Sequence, residues 1–158
     1  MHRRRRADPE PDRGPVLHPR LARESSFLAD VDGGTKIVVA GIVLTTACRP
    51  AAGALLDFWH TDDNGDYDNE GYRLRGHLFA DATGAYRLET IVPAVYPGRT
   101  RHIHVKVQAE GGPVLTTQLY FPGEAENERD DLFHAELVMN VRNVADGKAA
   151  TFNFVVAA

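Results

Sequence analysis

From Lys36 onward the chain consists of short runs of β-branched and aromatic residues separated by Gly, Pro, Asn and Asp. Such runs are typical of strands, because branched and aromatic side chains pack well on a pleated sheet. The pattern predicts seven strands, at residues 36–45, 54–60, 76–80, 86–91, 102–108, 114–121 and 151–156. Seven short strands with this spacing predict an all-β fold, namely an antiparallel β-sandwich.

The segments between the predicted strands contain turn signals and one candidate helix. Residues 81–84 and 110–113 are predicted to be hairpin turns, because glycine adopts the backbone angles that such turns require. Apolar residues within 130–139 recur at helical spacing, which predicts one short helix covering an edge or end of the sheets. We find no internal repeat.

The first residues differ from the rest of the chain. Residues 1–23 combine clustered arginines with prolines and have no repeating apolar face, which predicts a disordered arm over 1–30 and a single domain over 31–158. No apolar segment typical of an export signal follows the arginines. We therefore expect a cytoplasmic protein, with secretion as the alternative if a signal has been removed.

Composition limits the classes of partner. With 158 residues, 43% of them hydrophobic, the chain can bury one core. A formal net charge of -4 argues against nucleic-acid binding, and no apolar run is long enough to span a bilayer. Cys48 is the only cysteine, which excludes an internal disulfide. We expect a small-molecule partner and predict no particular oligomer.

His102 and His104 are the first candidate metal ligands. Successive side chains of a strand point to opposite faces, so these two imidazoles share a face while Ile103, Val105 and Val107 occupy the other. The histidines are therefore expected to line a cavity or the solvent rather than the core, where they could hold one metal ion. A His-X-His sequence is also common among ordinary surface histidines.

Tyr67 and Tyr96 lie in polar or proline-containing loops near the predicted histidine strand. Either could be a half-buried loop anchor. Together, two phenolates added to two imidazoles favour a trivalent, Lewis-acidic ion such as non-haem Fe(III). The oxygen-rich run around Asp62, Asn64 and Asp66 is an alternative calcium loop, although tyrosine stands where an EF-hand requires glycine.

Arg99 and Gln118 complete the candidate set. Arg99 precedes His102 by a short connection and could stabilise negative charge on a bound substrate, although a surface ion pair is an alternative. Gln118 lies on the strand predicted to pair with the histidine strand and could reach the same cavity, or could make an ordinary hydrogen bond on the strand face.

The order of these residues resembles the intradiol ring-cleavage dioxygenases, in particular the small stand-alone actinobacterial type. The segments that carry the resemblance are Gly53 to His60, Asn64 to Tyr67, Thr90 to Tyr96, Arg99, His102 to His104 and Thr116 to Phe121.

The resemblance implies that Tyr67, Tyr96, His102 and His104 hold Fe(III). It further implies that O2 cleaves a catechol-type ring between the hydroxyl-bearing carbons, giving a muconate-type diacid. Tyr96 would be the displaceable ligand. Arg99 and Gln118 would stabilise and position the substrate.

Two features of the chain qualify this interpretation. Thr100 replaces a proline often found after the family's catalytic arginine, and Arg101 is an alternative anion contact.

The rival hypothesis is a non-catalytic β-sandwich module that binds carbohydrate or protein, with or without calcium.

Overall fold

The computed structural model describes residues 26–31, 33–62, 64–66, 74–95 and 98–158. Most of the predicted arm, together with Tyr67 and Tyr96, lies outside these residues. Within them, no helix is long and apolar enough to cross a membrane.

Two sheets pack against each other as a sandwich, as predicted. The strands are β1 (Lys36–Thr45), β2 (Leu55–Trp59), β3 (Arg75–Phe79), β4 (Ala85–Ile91), β5 (His102–Gln108), β6 (Val114–Tyr120), β7 (Asn140–Val144), β8 (Gly147–Thr151) and β9 (Phe154–Val156). One sheet has the order β3-β2-β5-β6, and the other has the order β4-β1-β8-β7 with β9 paired to β1.

Side-chain alternation places the histidines on the outer face of the four-stranded sheet. Ile103, Val105 and Val107 of β5 are each 0% exposed and belong to the core between the sheets. His102 and His104 consequently point away from that core. The predicted division of β5 into an aliphatic face and an imidazole face is confirmed.

The second sheet is mixed rather than antiparallel. β1 pairs antiparallel with β4 but parallel with β8 and β9. These two parallel pairings are exceptions in the antiparallel β-sandwich that the sequence predicts. A parallel pair needs a long crossover, and here the chain between β1 and β8 forms the whole four-stranded sheet.

The segment after β6 differs from its prediction. In place of a helix over residues 130–139 there is one 3-10 turn, Ala135–Leu137, preceded by another at Ala125–Arg129. The strands β7 and β8 were not predicted, and the predicted strand at 151–156 is interrupted between β8 and β9. Phe27 is 1% exposed in the core, and its amide donates to the Glu89 carbonyl, so packing begins before β1. The domain division at residue 30 stays a prediction.

Candidate metal and catalytic site

Strand register collects candidate residues into one row across the outer face of the four-stranded sheet. His104 lies opposite Trp59 of β2 and opposite Gln118 of β6, and Trp59 in turn lies opposite Arg75. Directly opposite residues share a face in an antiparallel ladder. The predicted proximity of Gln118 to the histidine strand is therefore confirmed.

His102 is held through its Nδ1. This atom lies 2.7 Å from the Thr100 carbonyl oxygen, which can only accept, so Nδ1 carries the proton and Nε2 bears the lone pair that could bind a metal. Burial lowers the pKa of His102 to about 4, and the charge of Arg99 acts in the same direction. The ring is therefore neutral at pH 7, as a metal ligand must be.

His104 is oriented by the neighbouring strand. Its ring stacks on Trp59 with centroids 4.9 Å apart and an interplanar angle of 2°. Burial and the charges of His102 and Arg99 hold its pKa well below the ordinary value. Parallel stacking leaves the imidazole edge, which bears both nitrogens, directed away from the indole face.

The two imidazoles converge on a common point. Nε2 of His102 and Nε2 of His104 are 3.1 Å apart. Two imidazole nitrogens bonded to one ion at about 2.1 Å and roughly at right angles would be separated by about 3 Å. Neutral rings with this separation fit a shared metal ion. Among the described residues, however, no group of three or more His, Cys, Asp and Glu could hold a metal.

His60 is not available as a further ligand. Its Nδ1 lies 2.6 Å from the Thr61 carbonyl oxygen and its Nε2 lies 2.7 Å from Thr90 Oγ1. Burial lowers the pKa of His60 to about 4, so the ring is neutral. With both nitrogens engaged, His60 instead ties the end of β2 to β4.

Arg99 is fixed by a buried carboxylate beside the histidines. Its Nε donates to Asp130 Oδ2 at 2.7 Å, and its Nη2 donates to Gln118 Oε1 at 2.6 Å. The Asp130 side chain is only 2% exposed and also accepts the Thr100 amide at 2.8 Å. Burial raises the pKa of Asp130, but these hydrogen bonds outweigh burial and hold its pKa below the ordinary value. Asp130 thus stays charged.

Asp130 and Tyr120 are site neighbours that sequence reasoning missed. Tyr120 lies opposite His102, and its hydroxyl is 2.9 Å from Gln118 Oε1 and 2.8 Å from the Leu132 carbonyl oxygen. Tyr120 could have been found from the strand pattern, because it lies two positions after Gln118. Asp130 stands among several acidic residues, and nothing in the sequence distinguishes it from them.

The segments that lead into the two predicted tyrosine ligands are bound to each other. The Asp62 carbonyl accepts the Ala94 amide at 3.0 Å, and Thr61 Oγ1 donates to the Ala94 carbonyl at 3.0 Å. Gly65 packs so closely on Val95 that an added Cβ would lie 2.7 Å from the Val95 carbonyl oxygen. In the chain, Tyr96 follows Val95 directly, and Tyr67 follows Gly65 by two positions.

The Asp62 carboxylate has a turn function. Its Oδ1 accepts the backbone amides of Asn64 and Asp66, at 2.8 and 3.0 Å. This is the side-chain hydrogen bonding of an Asx turn. The calcium hypothesis therefore gains no support from Asp62.

Comparison with known proteins decides the family. A family model described as Dioxygenase (Dioxygenase_C) matches residues 15–158. The chain is 30% identical over 150 residues to the chlorocatechol 1,2-dioxygenase of Pseudomonas sp. (strain P51), covering 79% of this chain and 60% of that protein. The chain belongs to the intradiol ring-cleavage dioxygenase family.

Two further relatives widen the comparison. A hydroxyquinol 1,2-dioxygenase from Rhodococcus opacus is 30% identical over 135 residues, covering 70% of this chain and 45% of that protein. Among solved structures, the dioxygenase domain of a dioxygenase carbohydrate-binding protein fusion from Streptomyces sp. SirexAA-E has a TM-score of 0.84 and 50% identity. That match covers 92% of this chain and 94% of that domain. By contrast, the chain spans about 60% of the length of the curated chlorocatechol dioxygenases.

Proposed function

We propose that this member of the family is a non-haem Fe(III) enzyme that uses O2 to open a catechol-type ring between its two hydroxyl-bearing carbons. The product would be a muconate-type diacid, which contains all the atoms of the substrate and of O2. No external reductant is required. The two neutral imidazoles with converging Nε2 atoms are the observation that carries this proposal.

The proposed iron ligands are His102, His104, Tyr67 and Tyr96. The two histidines fit by protonation state and separation. The two tyrosines are proposed from the family pattern, supported by the contacts between the segments that precede them. Phenolates favour a ferric ion over softer centres.

Fe(III), when bound, would supply a Lewis-acidic centre for the two oxygens of a catecholate. Tyr96 would accept one of the substrate's hydroxyl protons at its phenolate oxygen. The Thr100 carbonyl holds the ring of His102, and Trp59 holds the ring of His104. These contacts would keep the imidazole nitrogens that bind iron in fixed positions.

Arg99 and Gln118 would act on the substrate. The Arg99 guanidinium is aimed by Asp130 and remains positively charged, so it can stabilise negative charge that develops on the ring. Gln118 accepts a hydrogen bond from Arg99 through Oε1, and its amide NH2 group is the part of the side chain that could donate to a substrate oxygen. The two side chains thus form one positioning unit.

The test is a visible spectrum of purified protein loaded with Fe(III). Tyrosinate ligands on ferric iron should give a charge-transfer absorption band, and this band should shift when catechol is added. Oxygen uptake with a panel of catechols would then identify the substrate.

Variants assign the ligands. His104→Ala and Tyr67→Phe should each greatly reduce bound iron, whereas Tyr86→Phe, which removes a buried phenol that donates to the Phe152 carbonyl, should retain it. A colourless ferric protein, or normal iron content in both ligand variants, would refute the proposed centre. Calcium uptake by that colourless protein would favour the binding-module hypothesis.

A further inference from the structure

A cleft apart from the histidine pair lies where the two sheets meet. Its volume is about 490 Å³, within the range of about 300–1,000 Å³ typical of small-molecule sites. It is lined from one sheet by Val141 of β7 and Lys148 of β8, and from the other by Phe121, directly after β6. Of the proposed iron ligands that the structure describes, neither His102 nor His104 lines this cleft.

One side of the cleft is apolar. Phe121 is 4% exposed, and Val141 packs against the core. Val92, which follows β4, and Pro122 extend this surface. A ligand with an aromatic or aliphatic body could bury apolar area here.

The rest of the lining carries excess positive charge. Among the described residues, it includes Arg101, Arg142 and Lys148 but a single acid, Glu124, and Glu124 already accepts the Arg101 Nε at 3.1 Å. Lys148 donates to the neutral Asn143 Oδ1 at 2.8 Å. Within the described part of the chain, neither Lys148 nor Arg142 has a carboxylate partner.

Arg101 belongs to this cleft rather than to the iron site. It stands one residue before His102, and alternation directs the two side chains to opposite sides. Its guanidinium donates to Glu124 and to the Pro93 carbonyl. The suggestion that Arg101 is an alternative anion contact for the catechol gains no support from these hydrogen bonds and stays a prediction.

We propose that this cleft binds a small organic carboxylate. The apolar body would lie against Phe121 and Val141, and the carboxylate would pair with Lys148, whose register partner Asn143 shares a strand face with Val141. Arg142, which follows Val141, would add positive charge at the rim of the cleft. Charge favours an anion, and the apolar wall favours an organic anion over inorganic phosphate. The proposal does not depend on the identity of the reaction at the iron site.

Isothermal titration of the purified protein with benzoate tests the proposal. We expect saturable one-to-one binding that weakens as salt is raised, because the ion pairs are partly exposed. Lys148→Met should weaken binding about fivefold, Arg142→Gln should weaken it less, and the double variant should weaken it most strongly. Arg87→Gln is the matched control, since Arg87 is an exposed arginine on β4 at the opposite edge of the same sheet.

Two comparator ligands and a visible spectrum distinguish binding of an organic carboxylate in the cleft from binding of a neutral or inorganic ligand and from binding at the iron. Benzyl alcohol, which lacks the charge, and inorganic phosphate, which lacks the apolar body, should both bind more weakly than benzoate. Visible spectra recorded during the titration detect benzoate that reaches the iron. Unchanged affinity in the double variant, phosphate binding as tight as benzoate binding, or binding that always accompanies a spectral change would overturn the proposal.

Discussion

Replacement of Gly65 by alanine probes the contact between the two segments that precede the proposed tyrosine ligands. Gly65 has φ of +87°, and an added Cβ would lie 2.7 Å from the Val95 carbonyl oxygen. Ordinary carbon-to-oxygen contacts are about 3.3 Å or longer. The two segments would therefore have to separate by about 0.6 Å.

The expected cost has two parts. Alanine in the left-handed region costs about 1 kcal/mol. Separation of the segments also weakens the bonds that Ala94 makes with Asp62 and Thr61, each with a net contribution of about 1 kcal/mol. Gly65→Ala should thus lower the free energy of unfolding by about 2–3 kcal/mol.

Gly53→Ala measures the first part alone, so the difference between the two variants gives the second part. Gly53 has φ of +74°, but an added Cβ there would meet nothing within 4 Å. This variant should lose only about 1 kcal/mol and keep its iron. Denaturant unfolding and iron analysis of both variants are the measurements. If Gly65→Ala matched Gly53→Ala in stability, iron content and visible spectrum, the contact would have no role in positioning the tyrosines.

Two further predictions concern charge. Asp130→Asn should remove the ion pair that aims Arg99. We expect kcat/KM to fall about tenfold or more while iron content is retained. Loss of iron with unchanged turnover per iron would contradict this positioning role of Asp130. His60, with a pKa of about 4 in the folded protein and about 6.5 when unfolded, is protonated first in the unfolded chain as pH falls. The contribution of His60 to the free energy of unfolding of the iron-free protein should therefore decrease by roughly 2 kcal/mol as pH falls from 7 to 5. Unfolding curves across this range test the sign, and His60→Gln should reduce the slope.

The sequence predicted strands well where burial alternates regularly. β5 was predicted with its observed bounds, because three branched residues face the core and alternate with polar ones. β7 and β8 were missed for opposite reasons. β7 is an edge strand whose residues are almost all exposed, and β8, Gly147–Thr151, consists mainly of small residues with little strand preference.

The predicted helix failed because a side chain competes with the helical backbone. The spacing of Leu132, Phe133 and Leu137 is helical, but Asp130 Oδ1 accepts the Leu132 amide and the Asp130 carbonyl accepts the Phe133 amide. Such local bonds favour a turn. The Asp130 carboxylate is also committed to Arg99, which lies far away in sequence.

For the candidate site, alternation along the strand predicted that His102 and His104 share a face of the sheet, but it did not predict the contacts that orient the two rings. Stacking on Trp59 depends on the register between β2 and β5. The residue pattern within one strand does not specify its register with a neighbouring strand. The assignment of Tyr67 and Tyr96 remains a prediction that iron analysis can decide.

The parallel pairings of β1 set the order in which the protein can fold. Ile37 is the register partner of Lys148, and Val43 is the partner of Phe154. During synthesis, β1 emerges early but must wait for residues 148–156 before its sheet is complete. Contacts between such distant stretches close slowly, so the nascent chain exposes an unpaired, aliphatic edge of β1 until residues 148–156 have been synthesised. Aggregation during expression should therefore respond to translation speed and chaperone supply more than to the stability of the finished sandwich.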